Sequence, residues 1–590
     1  MSPKQNFGEK KHTLSVKQKK ISFTAAVLLV IGSSIGAGTF LKNKEVLLNT
    51  GNSIVLLIIS WLLSITAVVC MAISLVEITS GAPNDNGGFV SWNKTFNRKI
   101  LYKMSKNFVA YIYLPLTFFL MPYYSVMTFQ DAFGWQTQWW VAALIGFAFA
   151  LWFLIMSGLS SKAGNIQNQI LSYLKFIPLA FAAVVGFVCI AMGKSNVHLD
   201  PVLPTKPGEF LYPSWMPTTW TQQEGRQLVG TMFPLLGMLA SVPAILFTYD
   251  GFYSAASIQT EMQHPEKTGN ALVIGLLTVS IADIVIAISL CLCSTDGKLG
   301  SITFNGLSED GNNALHIVIA IMEILVALGV LGIINSMALW TPRFYEYLIK
   351  DDELWVPDKY KTKLNDHCPK VGTVYAIIIS TIFFVAFTAI GVFGYIDVNL
   401  YGNTEMITIA NNFAGFGYGQ DELNSLYSFC DLMGNWTSVF AFAFIVFAMI
   451  GGIKNKYQYK VKIPVKEVKG FTPCTIISTV IIGLGLWFLI VSAVANVPLV
   501  ATWHSQIGDI DPINGEYTNS DWTKQMVGVS VTLGLLFVFF GVTAIPSYVA
   551  VKKESTPIRG GGSNDFDIKG LKDKDKVIIY KPKDLKRAKA

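Results

Sequence analysis

The chain has 590 residues, of which 52% are hydrophobic and only 14% charged, and its mean hydropathy is +0.47. These values exclude an ordinary soluble domain, because several apolar runs reach the roughly 20 residues that cross a bilayer. The net charge of +7 does not indicate a nucleic-acid partner. The lysines lie between apolar runs, where they report membrane topology.

The apolar runs predict an all-α polytopic membrane protein with twelve transmembrane helices. The predicted spans are residues 22–46, 53–80, 107–130, 139–156, 166–192, 232–258, 270–294, 313–342, 372–395, 427–451, 473–495 and 525–550. The predicted divisions are an N-terminal tail (1–20), a first five-helix repeat (21–192), an extracellular loop (193–231), a second five-helix repeat (232–451), helices eleven and twelve (452–551) and a C-terminal tail (552–590).

The first span contains the run GSSIGAGTF over residues 32–40. Its three glycines loosen the backbone, and non-helical backbone survives at membrane depth only where it is buried in protein or lines a cavity. We therefore predict a helix break that faces a ligand. The alternative is that Gly32, Gly36 and Gly38 merely let a neighbouring helix approach closely.

Residues 87–106, between spans two and three, mix aromatic and basic side chains, among them Phe89, Trp92, Arg98 and Lys103. This pattern predicts an amphipathic helix at the cytoplasmic membrane surface. A simple basic loop is the alternative.

Three charged side chains lie within later spans. Lys175 is about ten residues, or about 15 Å, from the cytoplasmic end of span five, which is too deep to reach the surface comfortably. Asp283 in span seven and Glu323 in span eight each lie in an apolar stretch. Either acid could carry a proton, since an acid inside the membrane is costly unless it is paired or neutral. Structural hydrogen bonding is the alternative for both.

Span six carries a second interruption, FTYDGFYS over residues 247–254. It places Asp250 and Gly251 in the middle of an apolar segment, and an acid there is expected to face a cavity or a partner. Interrupted helices at the start of each half indicate an inverted-repeat transporter with its substrate at the membrane midplane. The predicted layout is therefore a 5+5 inverted repeat with discontinuous helices one and six and two appended helices.

The charges of the loops predict the orientation. Lys and Arg fill the even-numbered loops, whereas the 396–426 and 496–523 loops contain acids and no Lys or Arg. The positive-inside rule then places both termini in the cytoplasm. We expect a multi-pass protein of the plasma membrane.

Several motifs together resemble the amino acid/polyamine/organocation superfamily of permeases, which has a LeuT-like fold. They are GSSIGAGTF, the FTYDGF run followed by Glu261 and Pro265, and the end of span eight from Arg343 to Pro357. The resemblance covers about residues 21–550. The Tyr-Asp-Gly sequence is most similar to bacterial relatives of the L-type amino acid exchangers. Thr39 and the long 193–231 loop depart from the usual pattern.

An amino acid zwitterion needs donors for its carboxylate and acceptors for its ammonium group, and the two breaks offer both. Backbone N–H groups of Ala37 and Gly38 would bind the carboxylate at a helix N-terminus. Carbonyl groups at both breaks would take the ammonium, and the resemblance implies the same division. The predicted substrate-binding residues are Ser34, Ile35, Gly36, Ala37, Gly38, Phe247, Tyr249, Asp250 and Gly251. Phe247 matches an aromatic gate in the family, and Tyr249 is equally an ordinary core aromatic.

The resemblance also implies how transport is coupled. In permeases of this type that run without sodium, a lysine at the position of Lys175 occupies the place of a sodium ion and bridges toward spans one and eight. Asn335 and Ser336 of span eight are expected at a comparable level, which makes Lys175, Asn335 and Ser336 the predicted coupling residues. The alternative is that Lys175 pairs with a structural carboxylate.

The predicted function is secondary active transport of amino acids by alternating access, without sodium and either proton-coupled or by exchange. The alternatives are a membrane sensor that binds amino acids without moving them and a polyamine or organocation permease of the same fold. We expect no enzymatic activity, cofactor or metal, since the sequence contains neither a phosphate-binding loop nor a nucleophile and base on neighbouring spans.

Overall fold

A computed structural model describes residues 22–34, 38–50, 53–81, 88–135, 137–193, 229, 234–252, 267–294, 297–302, 313–365, 368–395, 420–458, 461, 463, 468–502, 509–510, 517–518 and 520–555. The helices in these ranges are α1 (Phe23–Ser34), α2 (Gly38–Asn49), α3 (Ile54–Gly81), α4 (Phe89–Phe96), α5 (Lys99–Phe108), α6 (Leu114–Phe133), α7 (Trp139–Leu159), α8 (Ser161–Leu174), α9 (Phe176–Ala191), α10 (Pro234–Thr248), α11 (Thr268–Cys293), α12 (Asn313–Lys350), α13 (Asp358–Lys361), α14 (Lys370–Ala389), α15 (Gln420–Gln458), α16 (Phe471–Ala501) and α17 (Ser520–Ser555). Two short π-helical segments are Val109–Tyr113 and Ile390–Gly394. A small antiparallel hairpin pairs β1 (Asp509–Ile510) with β2 (Tyr517–Thr518).

Ten helices within the described ranges are long and apolar enough to cross a membrane. They are Ile54–Gly81, Lys99–Phe133, Trp139–Leu159, Lys162–Ala191, Asn270–Cys293, Leu315–Lys350, Lys370–Gly394, Glu422–Gln458, Phe471–Ala501 and Gln525–Lys552. The prediction of a helical polytopic membrane protein is therefore confirmed at this level.

The predicted spans that are absent from those ten are the first and the sixth, where we predict interruptions. α1 and α2 have 12 residues each and α10 has 15. At 1.5 Å per residue, 12 residues rise about 18 Å, which is short of the roughly 30 Å hydrocarbon core. α10 is followed by a described turn whose Tyr249 is buried, so the C-terminal end of α10 lies inside the protein.

Two of the long helices are central. The most apolar stretch of Lys99–Phe133 is 94% buried and that of Glu422–Gln458 is 83% buried, whereas the other eight are 33–50% buried. The eight less buried helices therefore have half or more of this stretch available for contact with lipid. The central pair, which contains α6 and α15, is where polar side chains can meet away from lipid.

Small residues bring α9 and α11 into close contact. A Cβ atom added to Gly186 would lie 1.9 Å from the carbonyl oxygen of Ser289, and the Gly186 amide donates a hydrogen bond to Ser289 Oγ at 2.8 Å. Only glycine permits this approach, as is common between membrane helices.

The single amphipathic helix predicted over 87–106 is corrected to two helices, α4 and α5. Phe89 and Trp92 of α4 are buried in protein, and the placement of the two helices at the membrane surface stays a prediction. Asn93 of α4 donates to the carbonyl oxygen of Phe444 on α15 at 3.0 Å. The sequence shows that one face is apolar but not whether lipid or protein covers it.

α5 is tied to the end of α12 by an ion cluster. Lys103 Nζ lies 2.7 Å from Glu353 Oε1, and Lys106 Nζ lies 2.6 Å from Glu353 Oε2. Burial opposes ionisation of Glu353, but the hydrogen bonds and charges of the two lysines outweigh it and hold the pKa of Glu353 below its usual range.

Candidate functional site

The glycine-rich run lies between α1, which ends at Ser34, and α2, which begins at Gly38. The predicted site residues Ile35, Gly36 and Ala37 lie outside the described residues, so the helix break expected there stays a prediction. Among the predicted site residues of the run, Gly38 is described with its surroundings, and it is the first residue of α2.

The second interruption follows α10. The helix ends at Thr248, and Tyr249, Asp250 and Gly251 form a turn in which the Asp250 amide donates to the Phe247 carbonyl at 3.2 Å. Gly251 has φ +99°, a conformation that favours glycine because it has no Cβ. The glycine of the Tyr-Asp-Gly motif is thus explained by the turn that stops the helix.

The two helix ends meet. A Cβ atom added to Gly38 would lie 2.7 Å from Thr248 Cα, closer than real Cβ atoms approach backbone. The backbone at the start of α2 therefore rests directly on the backbone at the end of α10. Residues about 210 positions apart, one from each predicted break, are therefore in contact.

A buried lysine lies one turn into α2. Lys42 is fully buried, and its Nζ atom lies 2.7 Å from Asp431 Oδ1 on α15 and 3.0 Å from Glu45 Oε2. Tyr124 of α6 donates to Asp431 Oδ1 at 2.9 Å, and Asn435 donates to Glu45. We call Lys42, Glu45, Asp431 and Asn435 the ionic layer. It joins one interrupted helix to the central helix α15.

An aromatic pair lies against the ionic layer. The rings of Phe247 and Tyr124 are 5.7 Å apart at 60°, and Lys42 Nζ lies 5.2 Å from the Phe247 ring centroid and 5.8 Å from that of Tyr124. Both rings pack on Gly434 of α15, where an added Cβ would lie 3.1 Å from each side chain. Phe247 therefore packs between the end of α10 and Gly434 of α15, and the Lys42 ammonium group lies over its ring.

Asp250 faces a different set of side chains. Its Oδ1 atom accepts a hydrogen bond from Tyr113 at 3.0 Å. The Tyr113 ring packs edge-on against Phe89 of α4 and Trp340 of α12, with centroids 6.4 and 6.5 Å apart. Tyr113 belongs to the π-helical segment that precedes α6, so Asp250 links the α10 break to the other central helix.

The predicted coupling residues are not at one level. Lys175 is buried at the junction of α8 and α9, and its Cβ would lie 3.2 Å from a Cβ added to Gly329 of α12. Asn335 instead donates to the carbonyl oxygen of Gly164 at 2.8 Å, and Ser336 donates to Asn168 at 2.7 Å.

The expected common level is therefore corrected. Gly329 and Asn335 are six residues apart, which is about 9 Å along a helix. The prediction ends span eight at residue 342, whereas α12 continues to Lys350. The proposed coupling role of the three residues stays a prediction.

The ionic layer was missed from the sequence. Its signal was present, since Lys42, Glu45 and Asp431 are charges inside predicted spans 22–46 and 427–451. They were overlooked because they lie near span ends, where charges are common. Their pairing across 389 residues is visible only in the folded chain.

The sequence of this chain matches a known protein family. A family model described as amino acid permease matches residues 21–508. The chain belongs to the amino acid permease family. This permease is therefore a membrane transporter and not an enzyme. Within its described residues, no group of three His, Cys, Asp or Glu side chains is placed to hold a metal ion.

Two curated relatives and one solved structure are similar to this permease. It is 36% identical over 565 residues to an uncharacterized protein of Mycoplasma pneumoniae, covering 90% of this chain and 94% of the relative. It is 22% identical over 329 residues to the serine/threonine exchanger SteT of Bacillus subtilis, covering 55% and 67%. A crystal structure of the Eremococcus coleocola manganese transporter aligns with a TM-score of 0.48 and 11% identity, covering 90% and 94%.

Proposed function

We propose that this permease moves amino acids across the plasma membrane by alternating access, without sodium, either together with protons or by exchange. The observation that carries the proposal is the backbone contact between the start of α2 at Gly38 and the end of α10 at Thr248. Helix ends inside a membrane expose backbone groups that lack intrahelical partners, and a zwitterion has the charges to satisfy them. The match to the permease family supports the same conclusion.

The two helix ends differ in the charge that they favour. α2 begins at the break, so its N-terminal N–H groups and dipole favour a carboxylate. α10 ends at the break, so its last carbonyl groups favour an ammonium group. An α-amino acid carries both groups two bonds apart, which suits a site where the two helix ends touch.

The ionic layer supplies a gate on one side of this site. Lys42 and Glu45 of the ionic layer lie on α2, about one turn beyond Gly38, and Asp431 and Asn435 lie on α15. The Phe247 and Tyr124 rings pack against the layer. With both termini in the cytoplasm, α2 is the outer half of span one. In this conformation the ion pair between Lys42 and Asp431 then closes the external path to the site.

The proposed topology has twelve spans. Ten are the long apolar helices, and α1 with α2 forms span one, while α10 begins span six. Spans one to five and six to ten would form the inverted repeats, with α16 and α17 appended. The short helices fall at the first position of each proposed repeat, as this layout requires.

Transport should be measured in proteoliposomes. Counterflow of labelled serine and threonine is the first test, since the SteT relative is a serine/threonine exchanger, and a panel of amino acids and one polyamine follows. We expect amino acid counterflow that is unchanged when choline replaces sodium. Binding without counterflow would indicate a sensor, polyamine uptake alone an organocation permease, and collapse in choline a sodium symporter.

Lys175→Ala is expected to reduce net uptake strongly while leaving substrate affinity nearly unchanged. Lys175 is buried where the start of α9 packs on α12, and it is not among the proposed substrate-binding residues, so its loss should affect the exchange between conformations more than substrate binding. Uptake and binding should be compared in the same preparation. Lys162→Ala is the matched control, since Lys162 is an exposed lysine on α8, the helix that ends just before Lys175. Equal losses of affinity and uptake would contradict the coupling role.

Asp250→Asn is expected to weaken substrate affinity about tenfold, or about 1.4 kcal/mol, if the carboxylate attracts the substrate ammonium. Tyr113→Phe is the comparison, because it removes the hydrogen bond to Asp250 and keeps the charge. A titration of substrate-induced thermal stabilisation measures both. Equal effects in the two variants, or no effect of Asp250→Asn, would assign the carboxylate to fixing the turn instead.

A further inference from the structure

A cluster of buried polar side chains lies where α2, the end of α10 and α11 meet. Thr39 and Asp283 are each 2% exposed, Tyr249 is 0% exposed and Ser280 is 2% exposed. Thr39 Oγ1 donates a hydrogen bond to Asp283 Oδ1 at 2.8 Å. We call these four residues the Asp283 cluster. No part of the proposed substrate or gate chemistry uses its carboxyl group.

The Asp283 cluster is polar but incompletely bonded. Among the described residues, Asp283 Oδ2, Tyr249 Oη and Ser280 Oγ have no hydrogen-bond partner. The Tyr249 hydroxyl faces both Asp283 and Ser280 and interacts with each, although the geometry falls outside that of a normal hydrogen bond. These buried oxygens have one another as neighbours and, within the described residues, no cation, so the site favours a neutral carboxyl over an ionised one.

The charges around the cluster do not neutralise Asp283. α1, which packs on α11, carries no charged residue, and Glu77, the charged residue of α3, pairs with Lys456. On α2, Lys42 is held by Glu45 and Asp431, and within the described part of the chain Asp283 forms no ion pair.

The remaining titratable groups on the packed helices lie farther away. Cys291 and Cys293 are eight and ten residues beyond Asp283 on α11, and Cys189 of α9 lies near Cys293. Lys44 is the other charged residue of α2. The Tyr249 hydroxyl is thus the titratable group that faces the carboxyl. An ionised carboxylate buried without a cation is strongly disfavoured, so the neutral acid fits this environment.

The position of the cluster links it to the helix breaks. Thr39 follows Gly38, whose backbone rests on Thr248, and Tyr249 follows Thr248. Asp283 therefore touches the first turn of α2 and faces the residue after α10. When these helix ends separate, water can reach Asp283 and the carboxyl can release its proton. When they close, the ionised form becomes costly.

We infer that Asp283 binds the proton that drives this permease, a deepening that rests on the proposed transport function. The carboxylate takes a proton from water on one side while the cluster is open to that side. The neutral acid is carried through the closed conformation beside the substrate. It then returns the proton to water on the other side, so one proton enters with each substrate and none is consumed.

The test compares Asp283→Asn with the unchanged permease in proteoliposomes. Asparagine keeps the shape and stays neutral, so counterflow at equal pH should persist. Accumulation driven by an acidic exterior, and the acidification of a trapped pH dye that accompanies it, should fall about tenfold or more, which is the size expected for coupling between two sites. Glu323→Gln is the matched control, because Glu323 is a second buried acid on α12, and both readouts should persist in it.

The outcomes separate this inference from the proposed function. If the unchanged permease shows no amino acid counterflow, the proposed function fails. If it shows counterflow but no response to pH, or if Asp283→Asn keeps the response, only the inference is overturned. Loss of counterflow in Asp283→Asn also overturns it, since a proton carrier separate from the pocket should leave exchange intact. A sodium requirement that vanishes in Asp283→Asn would assign the cluster to sodium instead.

Discussion

Gly38→Val is expected to abolish amino acid counterflow while leaving membrane insertion intact. Any Cβ at this position would lie 2.7 Å from Thr248 Cα, and valine adds two further methyl groups. The backbone cannot yield as a flexible side chain would, so α2 and α10 must separate. Overpacking of this kind costs about 1–3 kcal/mol, and it also displaces the groups that would bind the substrate. Gly38→Ala should show a weaker form of the same defect.

Two control variants separate loss of the site from general damage. Gly483 of α16 has open space around it, so Gly483→Ala should be neutral. Gly158 of α7 packs tightly on Thr373 of α14, with an added Cβ 2.1 Å from Thr373 Oγ1. Neither of these helices contains a predicted substrate-binding residue. Gly158→Val should therefore lower thermal stability and keep substrate affinity. Should Gly38→Val behave in the same way, the glycine serves packing alone, and normal counterflow would contradict the site itself.

Lys42→Met is expected to open the ionic layer. The substitution keeps much of the buried chain but leaves Asp431 and Glu45 without their cation. Breaking a fully buried pair costs about 3–5 kcal/mol, but 39% of the Asp431 side chain is exposed and can be hydrated. We therefore expect the closed arrangement to lose about 2 kcal/mol, a factor of about thirty in its population relative to open forms.

The native thiol of Cys430 reports this opening. It is buried and precedes Asp431, so a variant that retains only this cysteine should react with a membrane-impermeant maleimide about thirty times faster after Lys42→Met. Lys94→Met is the control, because the Lys94 pair with Asp351 is 46% and 32% exposed and worth about 0–1 kcal/mol. An unchanged labelling rate would show that Lys42 does not close this path.

The sequence predicts the parts of this structure that depend on local composition. Apolar runs locate the long helices, and the Asp-Gly pair of FTYDGF locates the turn that ends α10. These features follow from what a bilayer does to exposed backbone, and they need no knowledge of neighbours.

Contacts between distant segments escaped prediction. Thr39 bonds Asp283 across 244 residues, and Lys42 bonds Asp431 across 389. Nothing local distinguishes Asp431 from an acid at a span end. The prediction that Asn335 and Lys175 lie at one depth in the membrane was wrong for a related reason. A depth estimated from the end of a predicted span is wrong whenever the helix extends beyond that end, as α12 does. Composition defines elements, whereas register and partner choice depend on packing.

The contact between Gly186 and Ser289 has a mechanical consequence. The backbone of Gly186 packs directly on the backbone of Ser289, and a hydrogen bond from the Gly186 amide to Ser289 Oγ holds α9 to α11. Lys175 lies at the start of α9 and Asp283 lies in the middle of α11, so the two ionisable groups belong to a pair of helices that are held together. A tilt that shifts one must shift the other, although the two side chains need never touch. Substitutions at Lys175 and Asp283 should therefore combine non-additively, with the helix pair transmitting the effect.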